Sequence, residues 1–170
     1  MQQNIILVGP MGVGKTTIGR PLAKKLEMEF VDSDREIEDR TGVTINIIFE
    51  IEGEEGFRKR ESAMISELTQ RKNIVLATGG GAILDESNRI LMRKHGVVVY
   101  LHASVDLQLE RTRSSKNRPL LMNGDPRKIL QELMTEREPL YRQEADIIVN
   151  TENRSPGAVA NEIAESIVKL

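Results

Sequence analysis

The 170-residue sequence predicts an α/β fold built on a parallel sheet, and two features carry that prediction. Short apolar runs rich in β-branched residues recur along the chain, with stretches of helical periodicity between them. The first run, Ile5-Ile6-Leu7-Val8, enters Gly9-Pro10-Met11-Gly12-Val13-Gly14-Lys15-Thr16-Thr17, and Ile18-Gly19-Arg20-Pro21-Leu22-Ala23 follows. That order reads as strand, glycine loop, helix.

The loop fills the pattern G-x-x-x-x-G-K-[ST] without a gap. Consecutive backbone N–H groups in such a loop form a concave anion nest, and the following helix offers the positive end of its dipole. Lys15 is placed to reach β- and γ-phosphates, and the Thr16 hydroxyl to sit on Mg²⁺. An ordinary glycine-rich turn is the alternative. Nucleoside triphosphate binding is the stronger reading, because a buried strand precedes the loop and a helix follows it.

Further strands are expected at Phe30–Asp32, Ile74–Ala77, Val97–Leu101 and Ile147–Val149. Several are continuous apolar runs, which suits strands buried on both faces. In such sheets ligands lie beyond the carboxyl ends of the strands. The residues just after each strand are therefore the ones to weigh.

After the second strand come Asp32-Ser33-Asp34 and then Arg35-Glu36-Ile37-Glu38-Asp39-Arg40. Two readings fit. Asp32 can cap a helix with acids in its first turn and a Glu36–Arg40 pair behind them. Alternatively, one carboxylate accepts a substrate hydroxyl proton and another stands near Mg²⁺. Spacing leaves both open. Neither later strand ends in an acid, so Asp32 is the candidate for the metal's outer shell.

Residues 44–51 and 53–71 read as helices joined at Gly53. Phe57, Met64, Ile65 and Leu68 form an apolar stripe, with Arg58 at its edge. Arg58 either pairs with Glu54 at i,i+4 or serves a ligand. The third strand runs into Thr78-Gly79-Gly80-Gly81-Ala82. Three glycines there suit a backbone that passes close to something, or simply a flexible turn. Asp85 reads as the cap of the next helix.

A helix from about Val105 gives way to Arg111-Thr112-Arg113-Ser114-Ser115-Lys116-Asn117-Arg118-Pro119. Residues 111–118 hold four cations and no anion, within a chain of net charge −2. A solvated charged loop is one reading. A basic lid over phosphates, spanning about 111–124, is the other and the favoured one. Asp125 then caps a helix with Pro126 at its first position. Ile129, Leu130, Leu133, Met134, Leu140 and Tyr141 give that helix an apolar face, and Arg137 falls in its middle. A buried guanidinium is costly unless it meets an anion, so Arg137 snorkels, pairs within the fold or binds an anionic ligand. Pro139 is expected to kink or end the helix. Ser155 should cap a final amphipathic helix through Val159, Ile163 and Ile167.

Bulk composition narrows the options. The length suits one domain over residues 1–170, with no repeat or linker. Net charge −2 and 3% aromatics argue against nucleic acid as a partner. With no cysteine there are no disulfides, thiolate metal sites or cysteine nucleophiles. No apolar run approaches a membrane span, and Met1-Gln2-Gln3-Asn4 lacks a basic leader, so no membrane partner and a cytoplasmic location are expected. The expected assembly is a monomer.

A phosphate cradle, one or two carboxylates, a basic loop and two arginines near apolar faces suit phosphoryl transfer. If Asp34 meets a substrate hydroxyl while Arg58 and Arg137 meet an anion, the acceptor is a hydroxy acid. A related small-molecule kinase, such as one for gluconate, would not need both arginines on one carboxylate. A guanine-nucleotide switch is disfavoured because no N-K-x-D signature occurs, Asn117 being followed by Arg118.

At this point the sequence resembles the shikimate kinases along essentially its whole length. The matching segments are Gly9–Thr17, Asp32-Ser33-Asp34, Glu54-Glu55-Gly56-Phe57-Arg58, Gly79-Gly80-Gly81, Arg118-Pro119-Leu120-Leu121 and Arg137 through Tyr141. Six segments in one order are specific. The resemblance implies a three-layer α/β/α fold with a five-stranded parallel sheet, of the P-loop, nucleoside-monophosphate-kinase-like kind. It implies a Mg²⁺-dependent transferase that moves the ATP γ-phosphate to the 3-hydroxyl of shikimate, giving shikimate 3-phosphate and ADP, a step towards chorismate and aromatic amino acids. By position, Gly12, Val13, Gly14, Lys15, Thr16 and Thr17 would hold ATP, with Thr16 and Asp32 at the metal. Asp34, in a substrate-binding segment of about 33–61, would hold the hydroxyls and act as base. Arg58 and Arg137 would bind the carboxylate, and Gly79, Gly80 and Gly81 would complete the pocket, chiefly through the Gly80 backbone. Arg118 would be the lid arginine on the phosphates, with Lys15 as its catalytic partner. Arg111, Arg154 and Pro156 would flank the adenine.

Overall fold

The computed structural model describes residues 3–113, 119–121 and 124–170. Its strands are β1 (Asn4–Val8), β2 (Glu29–Asp32), β3 (Ile74–Ala77), β4 (Gly96–His102) and β5 (Ile147–Asn150). They form one sheet in the order β2-β3-β1-β4-β5, and every pairing is parallel. Each predicted strand is present, lengthened by at most one residue at either end.

Alternate residues along the central strands enter two separate cores. Ile5, Leu7, Val99 and Leu101 pack on one face against Leu22 of α1 (Lys15–Lys25) and Ile163 of α7 (Pro156–Val168). On the other face, Ile6, Val8, Leu76 and Tyr100 meet Ile65 of α3 (Ile45–Leu68), Met92 of α4 (Glu86–His95) and Tyr141 of α6 (Pro126–Glu144). The result is a three-layer α/β/α arrangement. Burial on both faces explains why the strand sequences read as unbroken apolar runs. Two further helices, α2 (Ser33–Thr41) and α5 (Val105–Thr112), follow β2 and β4.

The expected caps are in place. Asp85 accepts from the Ser87 N–H, Asp125 from Arg127 and Ser155 from Ala158, each contact stabilising its helix by about 1 kcal/mol. Gly53, at φ 71° and ψ −179°, breaks α3 into two helical pieces, a conformation that only glycine adopts readily. The expected Glu36–Arg40 pair forms at 3.9 Å, and Arg40 also reaches Glu67 across the α2–α3 junction. Of the two outcomes expected at Pro139, a kink or an end, the end is excluded, since α6 continues to Glu144. The proline removes one hydrogen bond, but the turn beyond it is anchored by buried Tyr141 and by Glu144, which accepts from Arg93 at 2.6 Å.

Candidate active site

The carboxyl ends of β1, β2 and β3 bring the glycine loop, Asp32–Asp34 and the glycine run together around a cavity of about 610 Å³. Gly14 caps α1 in the left-handed region, at φ 94°, so the loop turns sharply into the helix. The Lys15 ammonium donates to the carbonyls of Gly9 and Pro10, at 2.6 and 2.9 Å. Lys15 is the first residue of α1, so the residue that carries this ammonium starts the helix at its positive end. Gly12, Gly14, Thr16 and Thr17 line the same cavity, while the Val13 side chain is fully buried in the core beneath.

The capping role of Asp32 is observed, and its other oxygen faces the phosphate loop. Its Oδ1 accepts from the backbone N–H groups of Asp34 and Arg35, at 2.9 and 3.2 Å, and so caps α2. Its Oδ2 accepts from the Thr16 hydroxyl at 2.8 Å. The cap fixes the carboxylate, and the second oxygen is thereby aimed at the phosphate loop. Asp34, in the first turn of α2, lines the cavity beside it.

The three glycines after β3 are each spaced to admit a different polar side chain. A Cβ on Gly79 would lie 2.7 Å from Glu61 Oε2 and 3.0 Å from Asp34 Oδ1. On Gly80 it would lie 3.4 Å from Arg137 Nη1 and 3.5 Å from the Met11 nitrogen of the phosphate loop. On Gly81 it would overlap the Arg58 guanidinium, at 2.4 to 2.5 Å. The run is therefore a place of close approach. One hydroxyl-binding candidate and both arginines converge on consecutive residues, next to the loop.

Arg58 keeps its expected contact with Glu54, at 3.3 Å, but its nearer partner is Glu61, at 2.9 Å. Glu61 is 1% exposed. Burial pushes its carboxyl above the usual range, an effect that the positive charges of Arg58 and Arg137 only partly offset. Burial also disfavours the Arg58 cation, yet the attraction of Glu61 and Glu54 prevails and raises its pKa. Arg137 is 4% exposed, and its Nε has no hydrogen-bond partner among the described residues. Sequence periodicity had put it mid-face, and it is indeed inside.

A second cavity, of about 190 Å³, shares Gly14, Thr17 and Arg111 with the first and is also lined by Thr151, Arg154 and Pro156. Arg111 donates to the carbonyls of Val13 and Gly12, at 2.9 and 3.2 Å, and Arg154 to that of Asn150, at 3.1 Å. The three residues expected beside the adenine thus share one hollow. Arg118, the expected lid arginine, lies outside the described residues, as does much of the expected lid.

Glu61 escaped the sequence reading, although a signal was present. It falls inside the Phe57–Met64–Ile65 stripe, where an acid needs a partner. Tyr141 was read as part of an apolar face and of a matching segment, without a role for its hydroxyl, which donates to the Gly80 carbonyl at 2.5 Å.

This fold and site define a P-loop phosphotransferase of the nucleoside-monophosphate-kinase-like class. Residues 11–168 match the shikimate kinase family. The shikimate kinase of Pseudomonas paraeruginosa is 55% identical over 167 residues, covering 98% of this chain and 97% of that protein. A structure of shikimate kinase from Acinetobacter baumannii in complex with shikimate superposes with a TM-score of 0.98 at 51% identity, covering 99% of this chain and 94% of the other. That of Aquifex aeolicus gives 0.85 at 36% identity, with 97% and 96% covered. The chain belongs to the shikimate kinase family.

Proposed function

We propose that this chain transfers the γ-phosphate of ATP to the 3-hydroxyl of shikimate, giving shikimate 3-phosphate and ADP. The observation that carries the reading is the convergence of Asp34, Arg137 and Arg58 on Gly79, Gly80 and Gly81, with Gly80 against the phosphate loop. A ring bearing both hydroxyls and a carboxylate satisfies that set. Asp34 takes the hydroxyls and serves as base, while the two guanidiniums take the carboxylate in bidentate fashion. The Gly80 backbone closes the pocket.

The loop residues Gly12 to Thr17 hold the triphosphate, Lys15 meets the phosphoryl group in transfer, and Arg111, Arg154 and Pro156 hold the base. Arg118 on a lid of about 111–124 is assigned from the sequence alone. Mg²⁺ suits the Thr16 hydroxyl and the Asp32 carboxylate, two hard oxygen groups 2.8 Å apart beside the phosphate loop. When bound it would neutralise charge between β- and γ-phosphates. No cluster of three or more His, Cys, Asp or Glu among the described residues offers a cage of its own. That suits an ion held largely by phosphates and water.

The same reading takes residues 1–170 as one kinase domain, working as a cytoplasmic monomer without nucleic acid or membrane partners. No helix among the described residues is long and apolar enough to cross a membrane. The test is ADP release with shikimate, gluconate or nucleoside monophosphates, each with and without Mg²⁺. Turnover is expected with shikimate and Mg²⁺ only. Turnover with another acceptor and none with shikimate would overturn the reading.

A further inference from the structure

Tyr141 is 1% exposed and stands one helical turn beyond Arg137 on α6. Its hydroxyl donates to the Gly80 carbonyl at 2.5 Å, and the Arg137 guanidinium is a positive charge that acts on the same phenol. A tyrosine hydroxyl has one proton to give, here to Gly80, and keeps lone pairs that face a neighbouring cation favourably. The ring is held as firmly as the hydroxyl. It stacks on Tyr100, with centroids 5.0 Å apart and planes at 19°, and Tyr100 in turn donates to Glu138 at 3.3 Å. Burial pushes the Tyr141 phenol well above its usual pKa, which keeps it a donor throughout the working range.

The Gly80 carbonyl belongs to a planar trans peptide. Turning that oxygen towards α6 points the Gly81 N–H the opposite way. The Gly79 and Gly81 carbonyls accept from the Ala82 and Leu84 N–H groups of the turn that follows, whereas the Gly80 carbonyl between them is held by Tyr141. Arg137 packs against the same residue, its Nη1 3.4 Å from where a Gly80 Cβ would lie.

We propose that Tyr141 is a positioning residue for the acceptor half of the site. Its hydroxyl sets Arg137 and the Gly80–Gly81 peptide at one separation, and so aligns the groups that meet the acceptor's carboxylate. This rests on the shikimate kinase reading above.

Tyr141→Phe keeps the stacked ring and removes only the hydroxyl. Losing a hydrogen bond beside a charged group should raise KM for shikimate about tenfold. KM for ATP should stay within about twofold. Introduced into an Arg137→Ala background, the same change should cost less than in the wild type, because the two side chains act as one unit. An unchanged KM for shikimate, or equal rises for shikimate and ATP, overturns the proposal. In the wild-type protein, NMR should show a slowly exchanging Tyr141 hydroxyl proton close in space to the Gly81 protons; a rapidly exchanging one overturns the Tyr141–Gly80 link even if the variant fails to fold. A wild-type protein inert towards shikimate overturns the functional reading and this inference together. An active one with an unaffected variant overturns this inference alone.

Discussion

Arg58 and Glu61, three residues apart on α3, pair at 2.9 Å with the acid as the more deeply buried member, its side chain 1% exposed against 23% for the arginine. One Glu61 oxygen meets Arg58 and the other has no hydrogen-bond partner among the described residues. Such a carboxylate helps orient a guanidinium at a cost in stability. Because burial raises the Glu61 pKa, the folded chain retains a proton that the unfolded chain releases from about pH 4.3 upwards. Stability attributable to this group therefore falls as pH rises from that value to its raised folded pKa. Glu61→Gln mimics the protonated form. The wild-type Tm minus the variant Tm should decline from pH 4.5 to pH 8, measured by thermal unfolding. A difference that grows with pH would mean that the ion pair, not burial, dominates.

Gly81→Ala tests the close approach directly. The residue sits at φ −94° and ψ −1°, which alanine tolerates, so the backbone need not move. The new methyl would instead displace the Arg58 guanidinium. We expect KM for shikimate to rise about tenfold, on the scale of one charge-assisted hydrogen bond, with Tm falling by no more than a few degrees. A large loss of Tm with normal KM would mean that the glycine serves the fold only.

Much of this architecture was legible because its signals are local. The strand runs are apolar throughout since both faces of the sheet are covered, and Asp85, Asp125 and Ser155 sit where helix starts need oxygen acceptors. Periodicity put Arg137 in the middle of the apolar face, and the structure decides against snorkelling, since the residue is buried. What escaped depends on contacts between distant segments. The Arg40–Glu67 pair and the Tyr141–Gly80 bond join residues 27 and 61 positions apart, and no local pattern encodes them. Pro139 left a kink or an end open because its lost hydrogen bond is a local cost, whereas the burial that offsets it comes from the sheet. Glu61 was readable in principle: an acid inside an apolar stripe marks a buried pair, and Arg58 stood one turn before it.

Lys15→Ala should remove the closest side-chain cation from the transferring phosphate. The ammonium also clasps the carbonyls of Gly9 and Pro10, so the loop loses a brace as well as a charge. Loss of a preorganised electrostatic contact of this kind costs about 3 kcal/mol or more, and kcat/KM measured by coupled ADP release should fall by roughly a hundredfold or more. Near-normal kcat/KM would refute the role given to Lys15.

Arg137→Ala separates ligand binding from packing. In the wild type the guanidinium is 4% exposed and lies against Gly80, with Nε unpartnered. A buried cation left with spare donors is destabilising in itself, so its removal should leave Tm little changed, while on the proposed reading the acceptor loses one of two cations facing its carboxylate. A charge-assisted contact of about 1.5–3 kcal/mol corresponds to a rise in KM for shikimate of roughly 10- to 100-fold. KM for ATP should hold, because the proposed triphosphate site is the loop between β1 and α1. Steady-state kinetics with each substrate varied in turn, beside a thermal melt, decides the matter. Equal losses for both substrates with a lowered Tm would make Arg137 a structural ion-pair partner of Glu61 and leave Arg58 alone to meet the carboxylate.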